Sequence, residues 1–287
     1  MELEKSKPLS AFSTFGIGGP ARYFTTVKTI EALTEAVKWA EKERVPFLVI
    51  GRGSNSLFDD RGFNGLVIHN KLHFCDISGD EVDVSSGYNF SLLGAQTAKK
   101  GLSGLEFASG IPGSVGGAIF MNAGANGGET SECLQSVMVM TRSGELRELA
   151  RDQMHFAYRA SSFQKSGEII VSARFKLQKD ESARKRQIEI VSYRTETQPY
   201  GDRSCGCVFR NPEKGSAGAL IEQCGLKGMR IGGAEVSTVH ANFIVNREGA
   251  TAEDVWRLGA EVKHLVHEKT GILLEWELRK LPYDLSS

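Results

Sequence analysis

No apolar run in the sequence approaches the roughly 18 residues needed to span a bilayer. The start, Met1-Glu2-Leu3-Glu4-Lys5, lacks the apolar core of a signal peptide. No membrane partner is expected, and the expected location is the cytoplasm. Charge of one sign is also missing: 35 Lys and Arg balance 35 Asp and Glu. No general basic field exists to gather nucleic acid, although loops and single arginines can still build a local anion site. Cysteine is sparse. The five residues at 75, 133, 205, 207 and 224 are odd in number and irregular in spacing, which reads as thiols in a reducing compartment. The Cys205-x-Cys207 pair has no second pair at zinc spacing, so no metal is expected. Internal repeats and low-complexity segments are absent.

What the chain has in excess is glycine, 32 of 287 residues, and the excess is clustered. Around the clusters the hydrophobic pattern alternates between helix and strand periods. Ile30, Leu33, Val37 and Ala40 recur at helical spacing between Thr29 and Arg44. Pro46 stops that helix, and Phe47-Leu48-Val49-Ile50 reads as a buried strand. Gly65–Ile68 and Glu81–Ser86 read as further strands, and Phe90–Lys100 as a helix. Val137–Met140 and Leu146–Leu149 flank Ser143-Gly144 as a hairpin. Ile169–Leu177 alternates like a half-buried strand. Lys179–Thr197 is charged and helix-prone, and a domain boundary is placed there. Downstream, Ser216 is positioned to cap a helix that ends at Gly225. Thr251 and Asp254 have capping-box spacing before a helix that Gly271 closes. Ile272–Leu281 reads as a last strand, with Glu275, Glu277 and Arg279 on one face. Strands and helices mixed without a βαβ rhythm give an α+β fold class.

Two glycine-rich loops carry the first functional signal. Gly51-Arg52-Gly53-Ser54-Asn55 follows a strand. The second runs Gly110-Ile111-Pro112-Gly113-Ser114-Val115-Gly116-Gly117 and on to Asn122-Ala123-Gly124. A backbone without Cβ atoms turns sharply and can aim several N–H groups at one phosphate. Neither loop is a P-loop, and neither has the Gly-x-Gly-x-x-Gly spacing with a following acidic residue. Tight turns and close strand packing are the plain alternative for each loop. Two such loops after hydrophobic segments favour a nucleotide site.

At these residues the chain resembles a known family. Thr14-Phe15-Gly16-Ile17-Gly18-Gly19-Pro20-Ala21 and the two loops resemble the flavin-binding half of UDP-N-acetylenolpyruvoylglucosamine reductases. Tyr158–Phe163, Gly206–Pro212, His240–Asn246 and Leu274–Arg279 match the same family in order. The resemblance implies an FAD-binding domain of two α+β subdomains (PCMH-type) over residues 1–182, divided at about residue 70. A C-terminal α+β substrate domain would cover 183–287. It implies FAD and NADPH as cofactors, with reduction of UDP-N-acetylglucosamine enolpyruvate to UDP-N-acetylmuramate in peptidoglycan precursor synthesis. The expected state is a monomer with a small-molecule substrate.

The resemblance also assigns roles. Gly51, Arg52, Gly53, Ser54, Asn55, Gly110, Ile111, Pro112, Gly113, Ser114, Gly116, Gly117, Asn122, Ala123 and Gly124 would hold FAD. Arg159 would stabilise negative charge on the enolpyruvyl carboxylate, since a guanidinium stays charged and grips carboxylates with two donors. Cys207 stands where the family usually has a serine that protonates the α-carbon. A thiol, with an ordinary pKa of about 8.5, can donate there. Glu277 would lie beside the substrate carboxylate and act protonated or share a proton. Tyr158, Arg210, Asn211, Glu222, His240 and Asn242 are the substrate-binding candidates, with Arg210 where a lysine is common. Two other readings remain: a flavin oxidase of the same cofactor fold acting on a sugar alcohol, and a non-catalytic nucleotide-binding module.

Overall fold

The computed structural model describes residues 1–282; the last five residues of the expected C-terminal domain, 283–287, lie outside the described residues. Contact clustering divides the chain into two units. The first comprises 1–4, 23–51 and 65–194, and the second 5–22, 52–64 and 195–287. The chain therefore passes between the units several times, and the first glycine loop is cut after Gly51.

Two larger sheets, beside several two-stranded ones, lie mainly in the first unit. In one, β1 (Pro20–Val27), β2 (Phe47–Ile50) and β3 (Phe63–Asn70) lie in the order β1-β3-β2. β2 and β3 are parallel, with Phe47 opposite Leu66. Parallel strands need a crossover, but α1 (Ile30–Lys42) precedes β2 and joins it to β1. Thr29 caps α1 by accepting the Ala32 N–H at 3.2 Å, and the 3.6-residue period buries Leu33, Ala36, Val37 and Ala40. The second sheet is antiparallel throughout. β4 (Cys75–Ser78), β5 (Glu81–Ser85), β6 (Leu134–Met140), β7 (Leu146–Ala150) and β8 (Ile169–Lys176) take the order β7-β6-β8-β5-β4. Its inner residues Val82, Val137 and Phe175 pack with α2 (Phe90–Lys99) and α3 (Val115–Met121) through Phe90, Leu93, Val115 and Ile119. Burying each such side chain contributes about 1.5–3 kcal/mol. The charged segment after β8 forms α4 (Ala183–Thr197).

The second unit is built on a small antiparallel sheet. β9 (Ser204–Cys207), β10 (Arg230–Ile231), β11 (Ala234–Val236) and β12 (Phe243–Asn246) take the order β9-β12-β11-β10. α5 (Ala217–Gln223) and α6 (Ala252–Thr270) accompany the sheet. Thr251 and Asp254 form the expected capping box, with both bonds at 3.0 Å. Asp60 adds a second cap, accepting the Ala252 and Glu253 N–H groups at 2.9 and 3.2 Å. Gly271 closes α6 at φ 72°, where a side chain would strain the turn. Phe15, Ile17, Leu57, Val208, Phe209, Val255, Leu258, Leu274 and Leu278 share one core.

Two local expectations change. Only Arg279–Leu281 (β13) is strand within Ile272–Leu281, paired in parallel with Ser56–Phe58. Residues 275–278 form no strand; they bond to residues 208–210 around an isolated bridge between Trp276 and Phe209, with the Arg210 N–H on Glu275 O and the Glu277 N–H on Val208 O, both at 2.8 Å. The alternation of Glu275, Glu277 and Arg279 is thus not a strand face. Ser216 occupies the cap position of α5 without a side-chain bond. Asn211 does that work, its Oδ1 accepting the Ala217 N–H at 3.0 Å.

Candidate active site

In the first unit, Gly51 packs against Ser114 of the second glycine loop. A Cβ on Gly51 would stand 2.4 Å from the Ser114 Oγ, a distance no real side chain tolerates. The second loop runs antiparallel to residues 86–90. Phe90 N–H donates to Gly113 O at 3.1 Å, Val115 N–H to Tyr88 O at 3.0 Å and Gly116 N–H to Ser86 O at 2.8 Å. Gly116 is required there, since its Cβ would meet the Ser86 Cβ at 2.8 Å. Gly110 N–H donates to the Ser91 hydroxyl at 2.7 Å, and Gly113 N–H turns back to Ile111 O at 2.8 Å across Pro112. The loop is therefore held by its own protein, and it ends as the first turn of α3. Ser114 caps that helix, accepting the Gly117 N–H at 3.3 Å. Gly117 is exposed, and its missing Cβ faces only the Ser114 Oγ within 4 Å.

Past α3, Asn122 takes the left-handed cap (φ 43°) and is fully buried. Its Nδ2 donates to Ala157 O at 3.1 Å and its Oδ1 accepts the Ser131 N–H at 3.1 Å. This fixes the hairpin that carries Tyr158 and Arg159. Arg159 sits in its turn at φ 55°, uncommon for a residue with a side chain. Its Nη2 donates to Gly124 O at 2.8 Å, its carbonyl accepts from the Gln164 amide at 3.1 Å, and its guanidinium lies 5.0 Å over the Tyr158 ring. Ala123 O, one residue earlier, accepts the Thr130 hydroxyl at 2.7 Å. Tyr158 itself is 47% exposed.

In the second unit, Gly53 (φ 61°) is packed so closely that a Cβ would meet Phe12 O at 2.1 Å, and its own carbonyl accepts the Thr14 N–H at 3.4 Å. Arg52 is exposed, and Ser54 half-buried. Asn55 ties the loop to the C-terminal segment: its Nδ2 donates to Glu277 O at 3.3 Å, and its carbonyl accepts the Arg279 N–H at 3.2 Å. Glu277 N–H donates to Val208 O at 2.8 Å. Glu277 is thus fixed at both ends of its own peptide, beside the residue that follows Cys207.

Cys207 ends β9 after a bulge at Gly206 (φ 82°) and lies opposite Phe243. It is half-buried, whereas Cys205 is 2% exposed. Burial first, then the Cys207 and Glu277 charges, push the Cys205 thiol far up, so it stays protonated. The structure therefore gathers Cys205, Cys207 and Glu277 within electrostatic reach. Asn242, 3% exposed, clamps the next two residues. Its Oδ1 accepts the Phe209 N–H at 3.0 Å, its Nδ2 donates to Phe209 O at 2.8 Å, and its carbonyl accepts the Val208 N–H at 2.9 Å. His240 Nδ1 accepts the Asn242 N–H at 3.2 Å, which requires a neutral ring there to carry its proton on Nε2.

Arg210 and Arg279 form a like-charged pair. Burial, then the Arg210 charge, hold Arg279 down to about 10. Arg210 reaches Glu275 at 3.8 Å, but that carboxylate side chain is 73% exposed, so water weakens the pairing. The Arg210 Nε is buried without a hydrogen-bond partner. Arg279 is missing from the residues nominated by sequence; its signal is the Glu-x-Arg ending of Leu274–Arg279. Glu222 sits on exposed α5 surface, bonded to Lys227 at 2.6 Å. Among the described residues no group of His, Cys, Asp or Glu is arranged to hold a metal, and no helix is long and apolar enough to cross a membrane.

An α+β fold with glycine-rich turns of this kind suits a flavin-binding enzyme, and comparison with known proteins gives that class. A profile described as an FAD binding domain matches residues 21–150, and one described as the C-terminal domain of UDP-N-acetylenolpyruvoylglucosamine reductase matches 198–281. The chain is 53% identical over 279 residues to the UDP-N-acetylenolpyruvoylglucosamine reductase of Protochlamydia amoebophila, covering 97% of this chain and 93% of that one. It is 46% identical to that of Chlamydia muridarum, covering 98% and 95%. The crystal structure of UDP-N-acetylenolpyruvylglucosamine reductase from Thermus caldophilus superposes with a TM-score of 0.83 at 36% identity, covering 98% of both chains. The chain belongs to the UDP-N-acetylenolpyruvoylglucosamine reductase family.

Proposed function

We propose that this protein reduces UDP-N-acetylglucosamine enolpyruvate to UDP-N-acetylmuramate, with NADPH as electron source, in peptidoglycan precursor synthesis. Family membership over nearly the entire chain carries the reading. The residues fit FAD: neither glycine loop contains a carboxylate to repel a diphosphate, Arg52 adds a positive charge, and Gly117 leaves open backbone beside Ser114. In this reading Gly51, Arg52, Gly53, Ser54, Asn55, the 110–117 loop and Asn122–Gly124 hold the cofactor. Bound FAD supplies the hydride that NADPH provides.

The chain's own side chains do the rest. Arg159 holds the substrate carboxylate and stabilises charge that grows there as hydride adds to the β-carbon. The Cys207 thiol gives its proton to the α-carbon, completing addition of H⁻ and H⁺ across the double bond. Glu277 stays protonated or shares that proton, since a second anion beside the developing charge would raise the barrier. Arg210, with Arg279 beside it, meets the diphosphate. Tyr158, Asn211, Glu222, His240 and Asn242 complete the proposed substrate shell, Asn211 and Asn242 largely by holding main chain. Residues 1–182 are the cofactor domain and 183–287 the substrate domain, acting as a monomer in the cytoplasm.

The test is anaerobic visible spectroscopy of the FAD-loaded protein. The flavin bands should bleach on adding NADPH and return on adding the enolpyruvyl sugar nucleotide. Colour that returns only with oxygen would overturn the reductase in favour of an oxidase, and a protein that takes up no flavin would overturn both.

A further inference from the structure

The segment before the first family motif folds as a short 3-10 turn, Leu9–Phe12, and with Ser13, Thr14 and Gly16 it lines an open cavity of 320 Å³ that has Arg203 as a further wall. All of its lining lies in the second unit. The volume is at the lower end of the about 300–1,000 Å³ seen for small-ligand sites. Ser10, Ser13 and Thr14 carry hydroxyls; that of Thr14 already donates to Gly53 O at 3.5 Å and that of Ser13 accepts the Phe15 N–H at 3.1 Å while keeping its own proton to give, and no carboxylate lines the cavity.

Arg203 is the informative wall. Its side chain lies over Gly16, where a Cβ would stand 3.2 Å from the Arg203 Cδ; Gly16 also needs φ 68°, so glycine both makes the turn and leaves the arginine its place. The guanidinium has no hydrogen-bond or ion-pair partner among the described residues. The adjacent carboxylate, Asp202, is already bonded to Arg247 at 2.6 Å. The exposed Arg203 fork, with no counter-ion among the described residues, stands beside the Ser10 and Ser13 hydroxyls, and together these make a donor set for an anion. Tetrahedral phosphate, with more acceptor oxygens than a carboxylate, can use the fork and the hydroxyls together.

We propose that this cavity binds a phosphate dianion, either inorganic phosphate or the phosphomonoester of a nucleotide, at a site separate from the two glycine loops. The proposal does not rest on the reductase chemistry, and its readout is binding, not turnover. The experiment is calorimetric titration of the FAD-loaded protein with inorganic phosphate, adenosine 2′-phosphate and adenosine at constant ionic strength. Phosphate should bind saturably, Arg203→Met should weaken it at least tenfold, and Ser10→Ala should weaken it several-fold, with the flavin spectrum unchanged in both. Adenosine 2′-phosphate binding more than tenfold tighter than phosphate, with adenosine alone silent, assigns the site to a nucleotide; equal affinities assign it to free phosphate. No saturable binding of either, or undiminished binding in Arg203→Met, overturns the proposal. Should Arg203→Met not fold, unchanged phosphate affinity in Ser10→Ala overturns it instead.

Discussion

Trp276 lies flat on Trp256, with ring centroids 4.3 Å apart and planes within 8°, and the residue that follows it is Glu277. Trp276 also meets Phe209 at 5.1 Å, two residues after Cys207. Lys263 and Lys280 stand over Trp276 and Trp256 at 5.6 and 5.1 Å. The stack backs the non-strand segment that carries Glu277. Gly259 makes it possible, because a Cβ there would stand 2.2 Å from the Trp276 ring.

Gly259→Ala is therefore expected to destabilise the protein. Helix propensity alone would favour alanine by up to about 1 kcal/mol, whereas overpacking costs about 1–3 kcal/mol and should win. The denaturant midpoint should fall, and reduction of the enolpyruvyl substrate should slow more than reduction of flavin by NADPH. A raised midpoint would show that the indole moves freely.

Asn242→Ala removes two bonds to the buried Phe209 peptide, at 3.0 and 2.8 Å. Leaving a buried backbone group unsatisfied costs about 1–3 kcal/mol. A loss of that size in urea denaturation, with FAD binding retained, is the expected result.

His69 sets an acid limit on the first unit. Burial first, then the Lys71 charge, hold it down to about 4 from an ordinary 6.5. Above 6.5 both folded and unfolded forms are neutral, and its contribution is complete. As pH falls from 6.5 towards 4, the unfolded chain binds a proton that the folded one refuses, so stability is lost across that window. Denaturant midpoints at pH 7 and pH 5 should differ less in His69→Gln than in the parent.

Arg159 separates stability from activity. Its left-handed turn costs about 1–2 kcal/mol for a residue with a Cβ, which glycine would relieve, while the lost bond to Gly124 O costs about 1 kcal/mol. Arg159→Gly should stay within about 1 kcal/mol of the parent in stability. Its enolpyruvyl half-reaction should fall about 100-fold or more, with flavin reduction by NADPH unchanged.

Much of this architecture is legible in the sequence. The apolar spacing of Ile30–Ala40, the alternation in Ile169–Leu177 and the Thr251–Asp254 box are local signals, and each element stands where its pattern puts it. α3 was not legible, because Gly116 and Gly117 are poor helix formers and the turn is held by Ser114 and the Ser86 backbone. The last strand, Arg279–Leu281, is shorter than the alternating run that contains it, because alternation records which side chains are buried, not which peptides are paired. In the candidate site, the ordered motifs point to Cys207 and Glu277, but not to what supports them. Asn55 holding Glu277, Asn242 clamping Phe209 and Arg210 depressing Arg279 are contacts between distant segments. No spacing rule encodes them.

The central claim is that Cys207 supplies the proton for reduction of the enolpyruvyl double bond, and single-turnover stopped-flow on the two half-reactions tests it most directly. Flavin reduction by NADPH should proceed at the parental rate in both Cys207→Ser and Cys207→Ala. In the second half-reaction the serine variant should keep substantial activity and the alanine variant should lose about 100- to 10,000-fold. A Cys207→Ala protein that reoxidises with the enolpyruvyl sugar nucleotide at the parental rate would contradict the account.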